Sequence, residues 1–376
     1  MSGRRTALAL ALGVSAAVGH VIYPLALDAV ARRRRPAPVA VPAAWPPVTV
    51  LVPAYLEAGV IADKIDNIAK NGYQGEVETL VVADGDAETA RVAEAAGARV
   101  LHLTERHGKS QALNKGMAAA SHELVVISDA NSELEYDAIG YLVSALLPEH
   151  NGAVAGEKLE GTGGELAYWR FESWIKRNEA RLGTTLGLDG GLFAIRRSAY
   201  EPIPTDISND DFWIALDLME RGWHVGYEPR AQMREETIGS LKLSWERRTR
   251  VLGGGLWVMW RKRAMLGPAS VLDSRRRAVA TQVWGHKLWR STVGPLSHAA
   301  LLGVALASAR RSRTARLFLA GHAVAGAALV AQQHDRPVPL PGRIAAQVLY
   351  LQIVAFGGMR RCLRGDRVLR WDKPAR

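Results

Sequence analysis

Cysteine is almost absent. Cys362 is the only one, which excludes an intramolecular disulfide and any metal centre built from several thiolates. No internal repeat is visible. Gly108-Lys109-Ser110 lacks the second glycine, five residues earlier, that a phosphate-binding P-loop requires. Acidic residues are outnumbered 37 to 48 by Lys and Arg, for a net charge of +11. Such an excess raises nucleic acid as a partner, but its distribution argues against one. Residues 1–35 carry +5 and residues 310–376 carry +10, which leaves −4 on residues 36–309. A nucleic-acid enzyme would hold the charge on its central domain. Here it flanks apolar segments, as membrane-adjacent loops do. With 376 residues, 48% hydrophobic and 23% charged, the chain is ordered and long enough for a catalytic domain plus accessory segments.

The stretch 6–31 is almost wholly apolar, with Arg4-Arg5 before it and Arg32 to Arg35 after it. About 25 residues span a bilayer. A signal peptide would have a shorter apolar core and a small-residue cleavage site, so a retained anchor with its arginine end in the cytoplasm is expected. Five prolines between 36 and 47 predict an extended linker. From residue 48 strand and helix alternate. Strands are predicted over 48–52, 77–82, 99–103 and 124–128. Helices are predicted through Ile61, Ile65 and Ile68, over 88–96 with Gly97 closing the last turn, and over 109–120. This rhythm predicts a largely parallel sheet covered by helices. Residues 132–230 are less regular, with helices over 136–147, 164–182 and 210–220 and strands within 187–195 and 223–227.

Beyond Arg247 the chain turns basic and then apolar. Segments 293–309, 317–333 and 344–359 are each near the lower length limit for a span. Arg310, Arg311 and Arg313 follow the first, and Arg360, Arg361 and Arg364 follow the last. With both clusters in the cytoplasm, the second and third segments form a hairpin and 293–309 is re-entrant or interfacial. The expected organisation is an anchor at 1–35, a linker at 36–47, a catalytic domain at 48–265 and a membrane-associated region at 266–376.

Three of the predicted strands end in residues suited to a ligand at the carboxyl edge of a sheet. They run into Pro53-Ala54-Tyr55, Asp84-Gly85-Asp86 and Asp129-Ala130-Asn131. Asp and Gly also serve ordinary turns, so each motif alone is ambiguous. A carboxylate and an amide oxygen two residues apart, as in Asp129 and Asn131, can both face one Mg2+ or Mn2+ that bridges a diphosphate. Lys109 lies near a predicted helix N-terminus, where N–H groups and the dipole favour a phosphate; a solvated lysine is the plain alternative. Asp210-Asp211 opens a helix after Asn209, where one of the three would serve as N-cap. Two adjacent carboxylates also allow one to be held while the other acts as a base. Arg247-Arg248-Thr249-Arg250 is either a membrane-surface patch or a cationic clamp on a leaving diphosphate. His286-Lys287, before an apolar run, reads as interfacial.

Taken in order, these motifs resemble a family 2 inverting glycosyltransferase of the GT-A fold, of the membrane-associated kind that builds bacterial polysaccharides. Val52 to Glu57 matches the opening "PAYNE" strand end, and Asp84-Gly85-Asp86 the "DGS/DGD" that follows. Gly108 to Asn114 matches "GKxxALN", and Ser128 to Asn131 the DxD position. Asp189-Gly190-Gly191 resembles the acceptor-side glycine motif, and Asp210-Asp211 with Glu220-Arg221-Gly222 the "ED…G" base motif. The resemblance covers roughly 48–260, with weaker matches at Tyr23-Pro24, His286-Lys287 and Trp371 to Arg376.

The resemblance implies an α/β GT-A domain between N- and C-terminal transmembrane helices. It implies transfer of a sugar, with inversion, from a UDP- or GDP-sugar to a hydroxyl of a glycan or lipid-linked acceptor. Pro53, Ala54, Glu57, Asp84 and Asp86 would bind the donor, and Lys109 its diphosphate. Asp129 with Asn131 would hold Mg2+ or Mn2+, Asp211 would be the base, and Asp210 its partner. Asp189, Gly190 and Gly191 would face the acceptor, and Arg247, Arg248 and Arg250 the leaving group. The implied location is the inner membrane, multi-pass, with the catalytic domain in the cytoplasm. Two departures stand out: Asn131 replaces a carboxylate, and the "QxxRW" of processive members is missing around Arg247. A catalytically impaired membrane scaffold is therefore one alternative. A nucleotidyltransferase is another, but it would need a Gly-rich basic loop where Pro53 to Glu57 stand.

Overall fold

The structure, a computed structural model, describes residues 3–34, 39–159, 164–235, 241–267, 270, 272, 273, 276–334 and 336–366. Arg35 and the Trp371 to Arg376 motif lie outside the described residues. In chain order the chain forms helices α1 (Gly3–Ala17) and α2 (Tyr23–Ala31), then β1 (Val48–Ala54), α3 (Ile61–Ala69), β2 (Val77–Asp84), α4 (Ala87–Ala95), β3 (Arg99–Leu103), α5 (Lys109–Ala119) and β4 (Leu124–Ser128). There follow β5 (Ser132–Leu134), α6 (Ala138–Leu146), β6 (Asn151–Leu159), α7 (Gly164–Arg181), β7 (Leu192–Arg196), α8 (Asp210–Glu220), β8 (His224–Glu235) and α9 (Leu241–Arg261). Long helices complete the C-terminal part. By packing, the described residues of 1–30, 161–171 and 238–366 form a helical unit, and those of 31–160 and 172–237 a sheet unit.

The sheet unit is built on eight strands in the order β3-β2-β1-β4-β7-β6-β8-β5. The parallel sheet expected from the strand–helix rhythm is present in β3-β2-β1-β4. Beyond β4 the sheet turns mixed. β7 runs antiparallel to both β4 and β6, β6 pairs parallel with β8, and β5 pairs antiparallel with β8. The β-branched run of β1 and the apolar run of β4 are buried throughout, which suits strands covered on both faces. Each fully buried Leu, Ile or Val contributes about 1.5–3 kcal/mol. The end of the expected linker is docked on this unit: Trp45 packs edge-on against Tyr73, whose hydroxyl donates to the Pro46 carbonyl at 2.6 Å.

The antiparallel entry of β7 has a direct consequence. Ser128 pairs with Leu192, so the loop before β7 emerges at the same edge where β4 ends. Asp189-Gly190-Gly191 thus lies beside Asp129 by strand pairing alone.

The helical unit contains four helices long and apolar enough to cross a membrane: Arg4–Ala31, Arg277–Ser308, Arg313–Gln333 and Leu340–Leu363. Segment 293–309, expected to be re-entrant or interfacial, is largely the second half of the continuous Arg277–Ser308 helix. Within this unit Tyr23 and the 285–286 region come together: a side chain at Gly285 would collide with the Tyr23 ring, so only glycine allows the contact. Both positions adjoin or belong to π-helical turns, Val18–Ile22 and Val283–Val293. α9, expected inside the catalytic domain, packs with the helical unit, and with it Arg247, Arg248 and Arg250.

Candidate active site

Four sheet-edge segments supply the site. The first is the end of β1. Ala54 closes the strand, Pro53 precedes it, and the chain then turns through Leu56, which takes a left-handed φ of 54°. Asp86 stabilises that turn by accepting from the Leu56 N–H at 3.0 Å and from the Thr89 hydroxyl. Thr89 in turn accepts from the Glu57 N–H at 2.9 Å. The second segment is the end of β2. Asp84 is buried, and its two oxygens accept from the His107 and Gly108 N–H groups at 2.7 Å each. Its carboxylate therefore braces the loop that delivers Lys109. Arg106 in this loop stacks over the Tyr55 ring at 4.1 Å, which joins the loop to the end of β1.

The third and fourth segments meet around Lys109. Its ammonium lies 2.7 Å from Asp129 Oδ1, 3.8 Å from Asp210 Oδ2 and 3.5 Å from the Gly190 carbonyl. Burial opposes the charge on Lys109, but Asp129, Asp210 and Asp211 outweigh it and hold the pKa above the usual lysine value. Asp129 follows β4, and its N–H donates to the Gly191 carbonyl at 3.3 Å. Asp189 Oδ1 accepts from the Gly191 N–H at 3.1 Å. The Gly190 N–H donates to Asp211 Oδ2 at 3.2 Å, and the Phe212 N–H to Asp211 Oδ1 at 2.6 Å. A methyl group at Gly190 would stand 3.1 Å from the Lys109 nitrogen, so the lysine uses the room that glycine leaves.

Asp210 and Asp211, on the first turn of α8, differ in environment. Burial, then the neighbouring Asp210 and Asp189, push the Asp211 carboxyl up to about 7, against the pull of Lys109 and the Phe212 N–H. Asp210 keeps Oδ2 buried without a hydrogen-bond partner, aimed at the Lys109 cation. The pair thus offers one carboxyl poised to exchange a proton near neutrality and one that faces the cation.

The sequence reading missed two residues. Lys64 on α3 is buried and donates to Ser128 Oγ at 2.8 Å and to the Ser132 carbonyl at 2.5 Å. It ties together both ends of the Asp129-Ala130-Asn131 turn. Burial lowers its pKa to about 7, against Asp129 and Glu133. The signal was available: Lys64 interrupts the apolar stripe of Ile61, Ile65 and Ile68. Glu235, at the end of β8, accepts from Asn131 Nδ2 at 3.3 Å. Only the pairing of β5 with β8 brings it there.

Among the described residues no three His, Cys, Asp or Glu side chains converge closely enough to cage a metal. The donors at the turn are hard oxygens, the Asp129 carboxylate and the Asn131 amide. Carboxylates outnumber ammonium groups around them, and Asp210 Oδ2 has no donor. This set fits a cation held jointly by the turn and by diphosphate oxygens, the usual habit of Mg2+. Arg247, Arg248 and Arg250 belong to α9 in the helical unit. There Arg248 lies over the Tyr168 ring at 5.5 Å.

The model for glycosyl transferase family 2 matches residues 49–203, and that for glycosyl transferase family group 2 matches residues 172–355. A poly-beta-1,6-N-acetyl-D-glucosamine synthase of Staphylococcus aureus is 27% identical over 233 residues, which are 57% of this chain and 56% of that protein. Its counterpart in Staphylococcus epidermidis is 26% identical over the same extent. The chain thus spans little more than half the length of these relatives. A mannosyltransferase from Pyrobaculum calidifontis, solved with GDP-Man and Mn2+, superposes with a TM-score of 0.74 at 23% identity, covering 96% of this chain and 99% of that one. At that identity the likeness speaks for the fold.

Proposed function

From the premise that the chain belongs to the family 2 glycosyltransferases, we propose that it moves a sugar from a nucleotide-diphosphate donor to an acceptor hydroxyl with inversion, at the cytoplasmic face of a membrane, in the synthesis of a bacterial glycan or glycolipid. One observation carries the reading. Lys109 touches Asp129 and reaches the Gly190 carbonyl, while the Gly190 N–H holds Asp211. The side chains proposed to bind phosphate, to hold a metal and to act as base are therefore joined in one hydrogen-bonded network.

The roles follow from the contacts. The ends of β1 and β2, with Pro53, Ala54, Glu57 and Asp86, form the donor edge. Asp84 acts there by holding the 106–108 loop rather than through a free carboxylate. Lys109 leaves its carboxylate partners for the diphosphate. Asp129 and the Asn131 carbonyl oxygen would hold a divalent cation, which when bound neutralises charge on the leaving diphosphate. Asp211, with a pKa of about 7, takes the proton of the attacking hydroxyl. A base is most effective when its pKa lies near the working pH. Asp210 orients the pair toward Lys109, and Asp189 to Gly191 form the acceptor side. Arg247, Arg248 and Arg250 are proposed to meet the departing charge.

The test is a binding screen of UDP- and GDP-sugars on purified protein in detergent, with Mn2+ or Mg2+. At least one donor should bind in a metal-dependent manner, and EDTA or Asp129→Ala should abolish that binding. Tight binding that survives both treatments would overturn the metal assignment.

A further inference from the structure

Asn131 stands where the family's motif has a second carboxylate, and an amide is an ambiguous ligand. It presents an oxygen or an N–H2 group, depending on which way it faces. The structure supplies what decides between them. Asn131 Nδ2 donates to Glu235 Oε1 at 3.3 Å. The other oxygen of Glu235 accepts from Lys158, whose ammonium is buried. With the amide reversed, the Asn131 oxygen would face a carboxylate oxygen, two acceptors with no proton between them. One orientation is therefore satisfied and the other repulsive. Because the two amide arms diverge from Cγ, engagement of Nδ2 by Glu235 turns Oδ1 away from Glu235 and leaves it as a donor atom.

We propose that Glu235, charge-balanced by Lys158, is a positioning residue that locks the Asn131 amide with its oxygen presented as a divalent-cation ligand beside Asp129. The proposal rests on the metal reading of Asp129 and Asn131 given above. The backbone supports it. Ser132 pairs with Glu235 where β5 meets β8, and Lys158 pairs with Met233 where β6 meets β8. Glu235 and Lys158 are thus delivered by the paired strands β8 and β6, and Asn131 by the turn directly before β5. Partners of this kind fix the orientation of a ligand, and their loss typically costs 10–100-fold in metal affinity.

Restoring a carboxylate with Asn131→Asp should weaken the site, since the introduced carboxylate would confront Glu235 without a proton to share. Glu235→Gln in the same chain should restore affinity, because the glutamine amide donates to the new carboxylate. The experiment titrates the full chain in detergent with Mn2+ in the presence of saturating UDP or GDP, whichever the donor screen finds to bind, and reads bound Mn2+ by its EPR signal against a protein-free blank. Thermal unfolding of each variant serves as the folding check. Wild type should bind, Asp129→Ala should lose binding, and Asn131→Asp should lose about 10-fold or more. Asn131→Asp with Glu235→Gln should return to within a few fold of wild type. Tighter binding in Asn131→Asp, or no recovery in the double variant, would overturn the proposal while leaving the metal reading intact. If the wild type bound no Mn2+, or bound only as weakly as Asp129→Ala, the metal reading would fall and this inference with it. A merely structural role for Glu235 predicts lower unfolding temperatures without rescue of affinity.

Discussion

Asp211 owes its proposed role to its neighbours. Its pKa rises from the usual 3.8 to about 7 because it is buried beside Asp210 and Asp189. The folded state therefore keeps a proton that the unfolded chain loses near pH 4. Any stability this group confers is fully present below that pH and is lost as the pH rises through about 7. Asp211→Asn should then unfold at a higher temperature than wild type at pH 8, and the gap should close by pH 4. Turnover should behave oppositely. Wild-type kcat/KM should rise with pH and level off above about 7, while the variant loses roughly 10²–10⁴-fold and retains donor binding. A variant that turns over at a near-normal rate would refute the base assignment. At this scale much of the site was legible. Asp129, Lys109, Asp210 and Asp211 are chemistry-bearing residues at predicted strand ends and helix starts, and the structure gathers them. Lys64 was legible in principle, as a charge on an apolar stripe. Glu235 was not, because 104 residues separate it from the amide it holds.

At the scale of elements, the parallel half of the sheet could be read from its β-branched runs; in the mixed half β7 and the start of β8 fall on strands expected within 187–195 and 223–227, whereas β5 and β6 were not expected. β6 reads Asn-Gly-Ala-Val-Ala-Gly-Glu-Lys-Leu, a composition poor in strand formers. It forms a strand because β7 and β8 flank it. The antiparallel sense of β7, which carries Asp189 to Gly191 to the site, leaves no local mark in the sequence. Turns gave more. Gly85 follows β2 with φ 73°, and a methyl group there would approach the Arg106 backbone nitrogen to 2.7 Å. Backbone conformation and close approach both demand glycine. Gly85→Ala should therefore displace the loop that stacks Arg106 on Tyr55 and delivers Lys109. The expected cost is about 1–3 kcal/mol of stability, with weaker donor affinity and a base pKa left in place. Denaturant unfolding and donor titration would check this. Unchanged donor affinity would show that the 106–108 loop does not shape the donor site.

For the whole molecule, charge and composition bear on how many of the four apolar helices cross. If all four cross, with Arg32 to Arg34 in the cytoplasm, Arg277–Ser308 leads outward, Arg313–Gln333 returns and Leu340–Leu363 leads outward again. That order places Arg310, Arg311, Arg313, Arg360, Arg361 and Arg364 outside. If Arg277–Ser308 does not cross, the same six arginines lie inside. Two considerations favour the second arrangement. Cytoplasmic loops are enriched in Lys and Arg, and each basic residue near an anionic inner surface gains roughly 1 kcal/mol. In addition, the first half of Arg277–Ser308 carries Lys287, Arg290, Trp284 and Trp289, the mix of an interfacial segment rather than of a bilayer core. The chain carries its own reporter. Cys362 is the only cysteine and lies in the last turn of Leu340–Leu363 between two of these arginines. A membrane-impermeant maleimide should label it in inside-out vesicles and leave it unlabelled in intact cells. Labelling from the outside would establish that Arg277–Ser308 crosses fully, and would make this chain an exception to the charge rule that its sequence otherwise follows.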